Sequence, residues 1–141
     1  MLRALAIAEQ SYGKDHPAVA ILLNNLARLL QATNRLAEAE RLTRRALAIA
    51  EQSYGEDHPD VARDLNCLAT LLQATNRLVE AEPLMRRQVE IYLKFTRATG
   101  HPHFRLKAAM DSYAILLEAM GRSRDEILAT LREMAPEFLI N

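Results

Sequence analysis

A chain of 141 residues, half of them apolar and 26% charged, suits one globular domain with a continuous core and excludes a disordered chain. Its 18 Lys and Arg balance 18 Asp and Glu, so it lacks the basic field that nucleic-acid binding needs. The lone Cys67 cannot close an internal disulfide, and no apolar run reaches the length of a signal peptide or a bilayer span; the expected setting is cytoplasmic, with no nucleic-acid or membrane partner.

Apolar periodicity predicts seven helices. The first covers 2–12 and ends at Gly13. The second, over 17–32, has Pro17 in its first turn after Asp15, and it places Val19, Leu23, Leu26, Ala27 and Leu30 on one face at spacings of three and four. Asn34 suits a left-handed turn after that helix. The third helix, 36–54, carries Leu36, Ala39, Leu42, Ala46 and Ile49 on its buried face. Gly55 and Asp57-His58-Pro59 then introduce a fourth helix over 59–75, and Asn76 separates it from a fifth over 78–97. Pro83 lies about one turn into that fifth helix, where it removes one backbone donor and predicts a slight kink. The sixth and seventh helices are expected over 103–120 and 124–134, with Gly121 between them. Small Ala27, Ala39 and Ala46 allow neighbouring helices to approach closely.

The chain repeats itself. Residues 2–41 laid over 44–83, a shift of 42, agree at 31 of 40 positions. Ala-Leu-Ala-Ile-Ala-Glu-Gln-Ser-Tyr-Gly stands at 4–13 and again at 46–55, and Leu-Leu-Gln-Ala-Thr-Asn-Arg-Leu at 29–36 and again at 71–78. A degraded third copy follows at a shift of 45, in which Tyr113 to Arg122 echoes Leu68 to Arg77 and Gly100-His101-Pro102 echoes Asp-His-Pro. The expected organisation is one domain over 1–141: the second helix of a truncated repeat (1–16), repeat 1 (17–58), repeat 2 (59–101), and a degenerate repeat 3 with tail (102–141). Because the first helix lacks a partner before it, its apolar face is expected to be open. A longer parent protein, or a homodimer through uncapped terminal helices, follows as an expectation.

These residues resemble the tetratricopeptide repeat family. The small residue, the Leu three later, the turn residue, the Glu-Ala pair and the later Ala appear as Ala27, Leu30, Asn34, Glu38-Ala39 and Ala46. The second copy offers Ala69, Leu72, Asn76 and Glu80-Ala81, with Gln88 in the last place; the third keeps Ala114, Leu117 and Gly121, with Glu126-Ile127 for Glu-Ala. The usual period is 34, and the 42-residue period is similar to the kinesin-light-chain subtype. Leu-Asn-Asn-Leu-Ala at 23–27 and Gly-x-Asp-His-Pro at 13–17 and 55–59 also resemble that subtype. The resemblance implies an all-α, right-handed solenoid of helix-turn-helix repeats.

The differences between the two close copies point to a surface. Ala18/Asp60, Ile21/Arg63, Leu22/Asp64, Asn25/Cys67 and Arg28/Thr70 fall on one side of the first-type helix, while the packing face hardly changes. Stacked helix pairs curve, and first-type helices line the concave side. The resemblance implies that this groove binds an extended peptide whose backbone is contacted by Asn24, Asn25 and Asn66; Cys67 replaces the second Asn of copy 2. An amide both donates and accepts, so it grips a peptide bond of any sequence. Arg28 and Arg63 suit an acidic side chain or a terminal carboxylate, and Gln31 and Gln73 extend the ladder. Ile21 and Thr70 complete the stripe, and Asp111, Ser112, Ile115 and Glu118 turn it acidic in the third copy. Two other readings compete: drift on a solvated face, and Asn side chains that bond the neighbouring helix and serve structure alone.

No catalytic constellation is evident. His16 and His58 recur with the repeat and belong to its turn. His101-Pro102-His103 lacks further metal ligands nearby, Cys67 lacks an activating base, and no phosphate loop is present. Glu38, Glu40, Glu80 and Glu82, beside Arg35, Arg41, Arg44 and Arg45, read as solvated pairs within a helix. The expected function is a non-enzymatic interaction module with a peptide or protein partner and no cofactor or metal. The alternative is a structural spacer or sensor portion of a larger protein that self-associates through its ends.

Overall fold

The computed structural model describes residues 2–138. They form α1 (Leu2–Tyr12), α2 (Pro17–Ala32), α3 (Leu36–Tyr54), α4 (Pro59–Ala74), α5 (Leu78–Thr99), α6 (Leu106–Ala119) and α7 (Arg124–Met134), closed by a 3₁₀ turn over Pro136–Phe138. Each helix packs mainly on its neighbours in sequence: α2 on α3, α4 on α5, and each pair on the next. Local pairing of this kind makes an all-α solenoid.

Local chemistry explains the boundaries. His16 and His58 precede Pro17 and Pro59 in extended conformation, and their Nδ1 atoms accept the N–H of Ala18 and Asp60, each at 3.0 Å. Free donors at the helix start are thus satisfied by histidine. Asp57, just before the fourth helix, accepts from Lys94 Nζ at 2.6 Å. At the other ends Asn34 and Asn76 adopt φ of 62° and 58°, the left-handed conformation that their sequence position requires. Helix α5 runs through Pro83; the Val79 carbonyl left without its donor belongs to a residue 78% exposed, so water can satisfy it.

The sixth helix begins at Leu106, three residues later than expected. His103, not His101, makes the corresponding local bond in the third copy, although the helix's own N-cap, Arg105, has no side-chain cap bond. The His103 Nδ1 accepts the Arg105 N–H at 3.1 Å, and its own N–H bonds Thr96 Oγ1 at 3.0 Å. Its ring stacks on Tyr92 at 4.4 Å, as His16 does on Tyr12 and His58 on Tyr54, both at 4.7 Å. Pro102 therefore lies in the loop rather than in a first helical turn, and the extra residues of this copy are spent between Gly100 and Arg105.

Two core clusters run along the array. The first unites Leu5 and Ala8 of α1, Val19, Leu23, Leu26, Ala27 and Leu30 of α2, Ala39, Ala46 and Ile49 of α3, and Leu71 of α4. The second extends from Leu47 and Ala50 of α3 through Leu65, Leu72, Ala81, Tyr92 and Tyr113 to Leu131. Each fully buried Leu contributes about 1.5–3 kcal/mol from apolar burial. The charged helix surfaces differ from the expectation of pairs within one helix. Arg35–Glu38, Arg44–Glu40 and Arg86–Glu82 are of that kind, but Arg77 also reaches Glu40, Arg45 reaches Glu9, and Arg87 reaches Glu51, each in the preceding copy.

Candidate functional site

Side chains at i, i+4 and i+7 of α2 and at i, i+1 and i+4 of α4 project into the space between the two helices. There, Asn24, Arg28 and Gln31 from α2 and Asn66, Cys67 and Thr70 from α4 line a cavity of about 160 Å³, floored by Ala27, Leu71 and Thr43. Six residues selected from the sequence are thus brought together. Ile21, Asn25, Arg63 and Gln73 are not part of that lining; Ile21 is 56% exposed. In the third copy Ser112 is half-buried and Ile115 and Glu118 are exposed, whereas Asp111 borders a different, more apolar depression with Pro102, His103, Leu106, Met110 and Leu131.

One lining residue is committed within the fold. Asn24 Nδ2 donates to Asp64 Oδ1 at 2.8 Å, tying α2 to α4, so the reading in which an Asn amide bonds the neighbouring helix describes Asn24. Asp64 is only 2% exposed, and burial pushes its carboxyl above the usual value, while the Asn24 bond and nearby Arg63 pull it back. The Oδ1 of Asn24 is buried without a donor among the described residues. Asn66 has no such tie, because Ala109 stands where the second copy has Asp64. Sequence comparison registered the Leu22/Asp64 difference but missed this bond; the signal was a carboxylate at a position otherwise apolar.

The remaining groups are oriented by local bonds. Arg28 Nη2 donates to Asn25 Oδ1 at 3.0 Å, which holds the guanidinium along α2. Thr70 Oγ1 donates back to the Asn66 carbonyl at 2.8 Å. Burial, then the Asp64 charge, push the Cys67 thiol up, which keeps it protonated and a poor nucleophile. Among the described residues no cluster of His, Cys, Asp or Glu is placed to hold a metal ion, and no helix is long and apolar enough to cross a membrane. The surface offers donors and acceptors on a shallow apolar floor, an arrangement suited to binding.

The tetratricopeptide repeat model matches residues 1–52 and 30–94, together about two thirds of the sequence. The chain belongs to the tetratricopeptide repeat family. Repeats of this family generally mediate protein–protein interaction. A crystal structure of a Podosopora anserina protein, described as a kinesin light chain with nearly identical TPR-like repeats, is similar with a TM-score of 0.78. It is 25% identical over 96% of this chain and 64% of its own length. A variant of that protein aligns with a TM-score of 0.72 at 24% identity, over 97% of this chain and again 64% of its own. This tetratricopeptide repeat chain thus spans slightly under two thirds of those structures. No curated protein matches it.

Proposed function

We propose that the surface between α2 and α4 is the floor of a groove that holds an extended segment of a protein partner. The observation that carries this reading is the cavity where Arg28, Gln31, Asn66 and Thr70 converge from two helices over an apolar floor. Asn66 and Gln31 supply amides that donate to and accept from a peptide backbone, and Arg28 supplies a cation for an acidic side chain or a chain terminus. Asn24 shapes the floor through Asp64 instead of gripping the ligand. Apolar contact is modest, so affinity depends on several polar bonds acting together.

A peptide library panned against the intact chain tests the assignment, with circular dichroism confirming that each variant is helical. Asn66→Ala combined with Gln31→Ala should weaken the enriched peptides about 10- to 100-fold, as expected for two lost hydrogen bonds at roughly 1 kcal/mol or slightly more each. Enriched peptides that bind the double variant unchanged, or a folded chain that enriches none, would overturn the groove.

A further inference from the structure

The second helices of successive repeats lie on the outer side of the array, and arginines fasten α5 to α3. Glu40 of α3 pairs with Arg44 of its own helix and with Arg77 of the following repeat, and Glu51 of α3 pairs with Arg87 of α5. One repeat further on, between α5 and α7, both fastenings are missing. Glu82, at the place of Glu40, pairs only with Arg86, and Arg122, at the place of Arg77, makes no ion pair among the described residues. Leu93 stands at the place of Glu51, so the other pair has lost its carboxylate.

The outer surface is open at this point. Two joined hollows of about 370 and 570 Å³ share Arg86 and Glu90 and form a furrow along α5. The smaller hollow sets Val79, Pro83 and Met120 beside Arg122, and the larger sets Leu93 opposite Glu133 and Met134 of α7. The charges along the furrow are unequally used. Arg86 is engaged by Glu82 and the Tyr113 hydroxyl, Lys94 by Asp57, and Arg97 by Glu137 and the Met134 carbonyl. Glu90 and Glu133 are exposed and make no ion pair among the described residues. One open cation therefore stands in the smaller hollow, and two open carboxylates line the larger one.

We propose that this outer furrow binds an extended segment of a partner protein that carries an acidic residue towards one end and basic residues towards the other. The acidic side chain meets Arg122, and the basic ones meet Glu90 and Glu133 through charge-assisted hydrogen bonds. The spacing follows from α5. Glu82, which lines the smaller hollow with Arg122, precedes Glu90 by two helical turns and a little more, about 12 Å. An extended chain covers that distance in about four residues. Side chains four apart on a strand face the same way, and so does the residue midway between them, which is apolar and rests on the Pro83 side of the furrow. A second basic residue, two further on, reaches the hollow that holds Glu133. The furrow shares no lining residue with the surface between α2 and α4.

The test titrates the intact chain with two acetylated, amidated octapeptides, Ser-Asp-Ser-Leu-Ser-Lys-Ser-Lys and the same sequence reversed, followed by calorimetry and backbone NMR. Saturable binding of at least one is expected, with shift changes at Glu90, Arg122 and Thr130. Glu90→Gln combined with Glu133→Gln should weaken it at least tenfold, and Arg122→Ala about threefold, with helicity unchanged by circular dichroism. The peptide with norleucine for both lysines should not bind. Asn66→Ala combined with Gln31→Ala should leave the affinity unchanged, which separates this furrow from the proposed groove. Absence of saturable binding by either peptide, or binding that survives Glu90→Gln with Glu133→Gln, overturns the proposal. So does a chain that sediments as a dimer and becomes monomeric in that double variant, because the occupant is then a second copy.

Discussion

Asn24 and Asp64 are 40 residues apart in sequence and 2.8 Å apart in the fold, joined by one amide-to-carboxylate hydrogen bond between α2 and α4. The bond links two first-type helices that otherwise communicate mainly through α3. It also gives a buried carboxylate one firm donor. Asn24→Ala removes that donor and strands Asp64, at an expected cost of about 1–3 kcal/mol. Urea unfolding should show a lower midpoint at an unchanged slope. Replacing both residues, Asn24→Leu with Asp64→Leu, should recover most of the loss, because the stranded charge is gone and copy 1 already carries Leu22 at the equivalent place.

Acid should loosen the α5–α6 loop through His103. Its imidazole is held below the ordinary histidine range, chiefly by burial against Tyr92 and Phe95 and then by the neighbouring Arg105 charge. The unprotonated Nδ1 also accepts the Arg105 N–H, which a protonated one cannot do. A depressed folded value means that His103 contributes its full stability above its unfolded value of about 6.5 and loses it as pH falls through the folded value. Asp64 has the opposite sign, since its raised carboxyl favours the folded chain as pH falls through that raised value. Thermal melts between pH 7 and 5 should therefore show the wild-type Tm falling relative to that of His103→Asn, which does not titrate in this window and retains the same Asp64.

Asn76 separates α4 from α5 at φ 58°, where an alanine pays the left-handed penalty of roughly 1–2 kcal/mol. Asn76→Ala should lower stability by about that amount. Asn76→Gly should be neutral within experimental error, because the third copy already uses Gly121 at φ 89° for the same turn. Equal losses for both substitutions, measured by chemical denaturation, would place the importance of Asn76 in its side chain instead of its backbone.

The helices were legible because each copy repeats its apolar spacing and its punctuation, so Asn34, Asn76, Pro17 and Pro59 marked boundaries that the structure keeps. His103 was not legible. The motif His-Pro pointed to His101, whereas the choice between the two histidines rests on which ring reaches Tyr92, a contact 11 residues apart. The groove was partly legible for a related reason. Helical spacing of the differing positions put Arg28 on one side and the family resemblance supplied Asn24 and Asn66, but neither says anything of partners across helices. The Asn24–Asp64 bond arises only once α2 and α4 are brought side by side, and the same is true of the ion pairs that run from one copy to the next.

Those ion pairs form a repeating device. Arg87 Nη2 donates to Glu51 Oε2 at 2.9 Å and to the Glu56 carbonyl at 3.2 Å; one repeat earlier, Arg45 lies 3.5 Å from Glu9 and donates to the Lys14 carbonyl at 3.1 Å. Each arginine thus clamps the preceding second-type helix together with the turn that follows it. Arg87 and Glu51 are about 30% exposed, so their charge attraction is screened and belongs to the range of about 0.2–1 kcal/mol. Arg87→Met retains the packing of the stem while removing both bonds. It should lower stability by somewhat more than Glu51→Gln, because the carbonyl at Glu56 loses its donor only in the former. In 1 M salt, where screening acts over about 3 Å, the Glu51→Gln loss should shrink towards zero while part of the Arg87→Met loss persists. Equal losses at both salt concentrations would show that the pair acts through packing and not through charge.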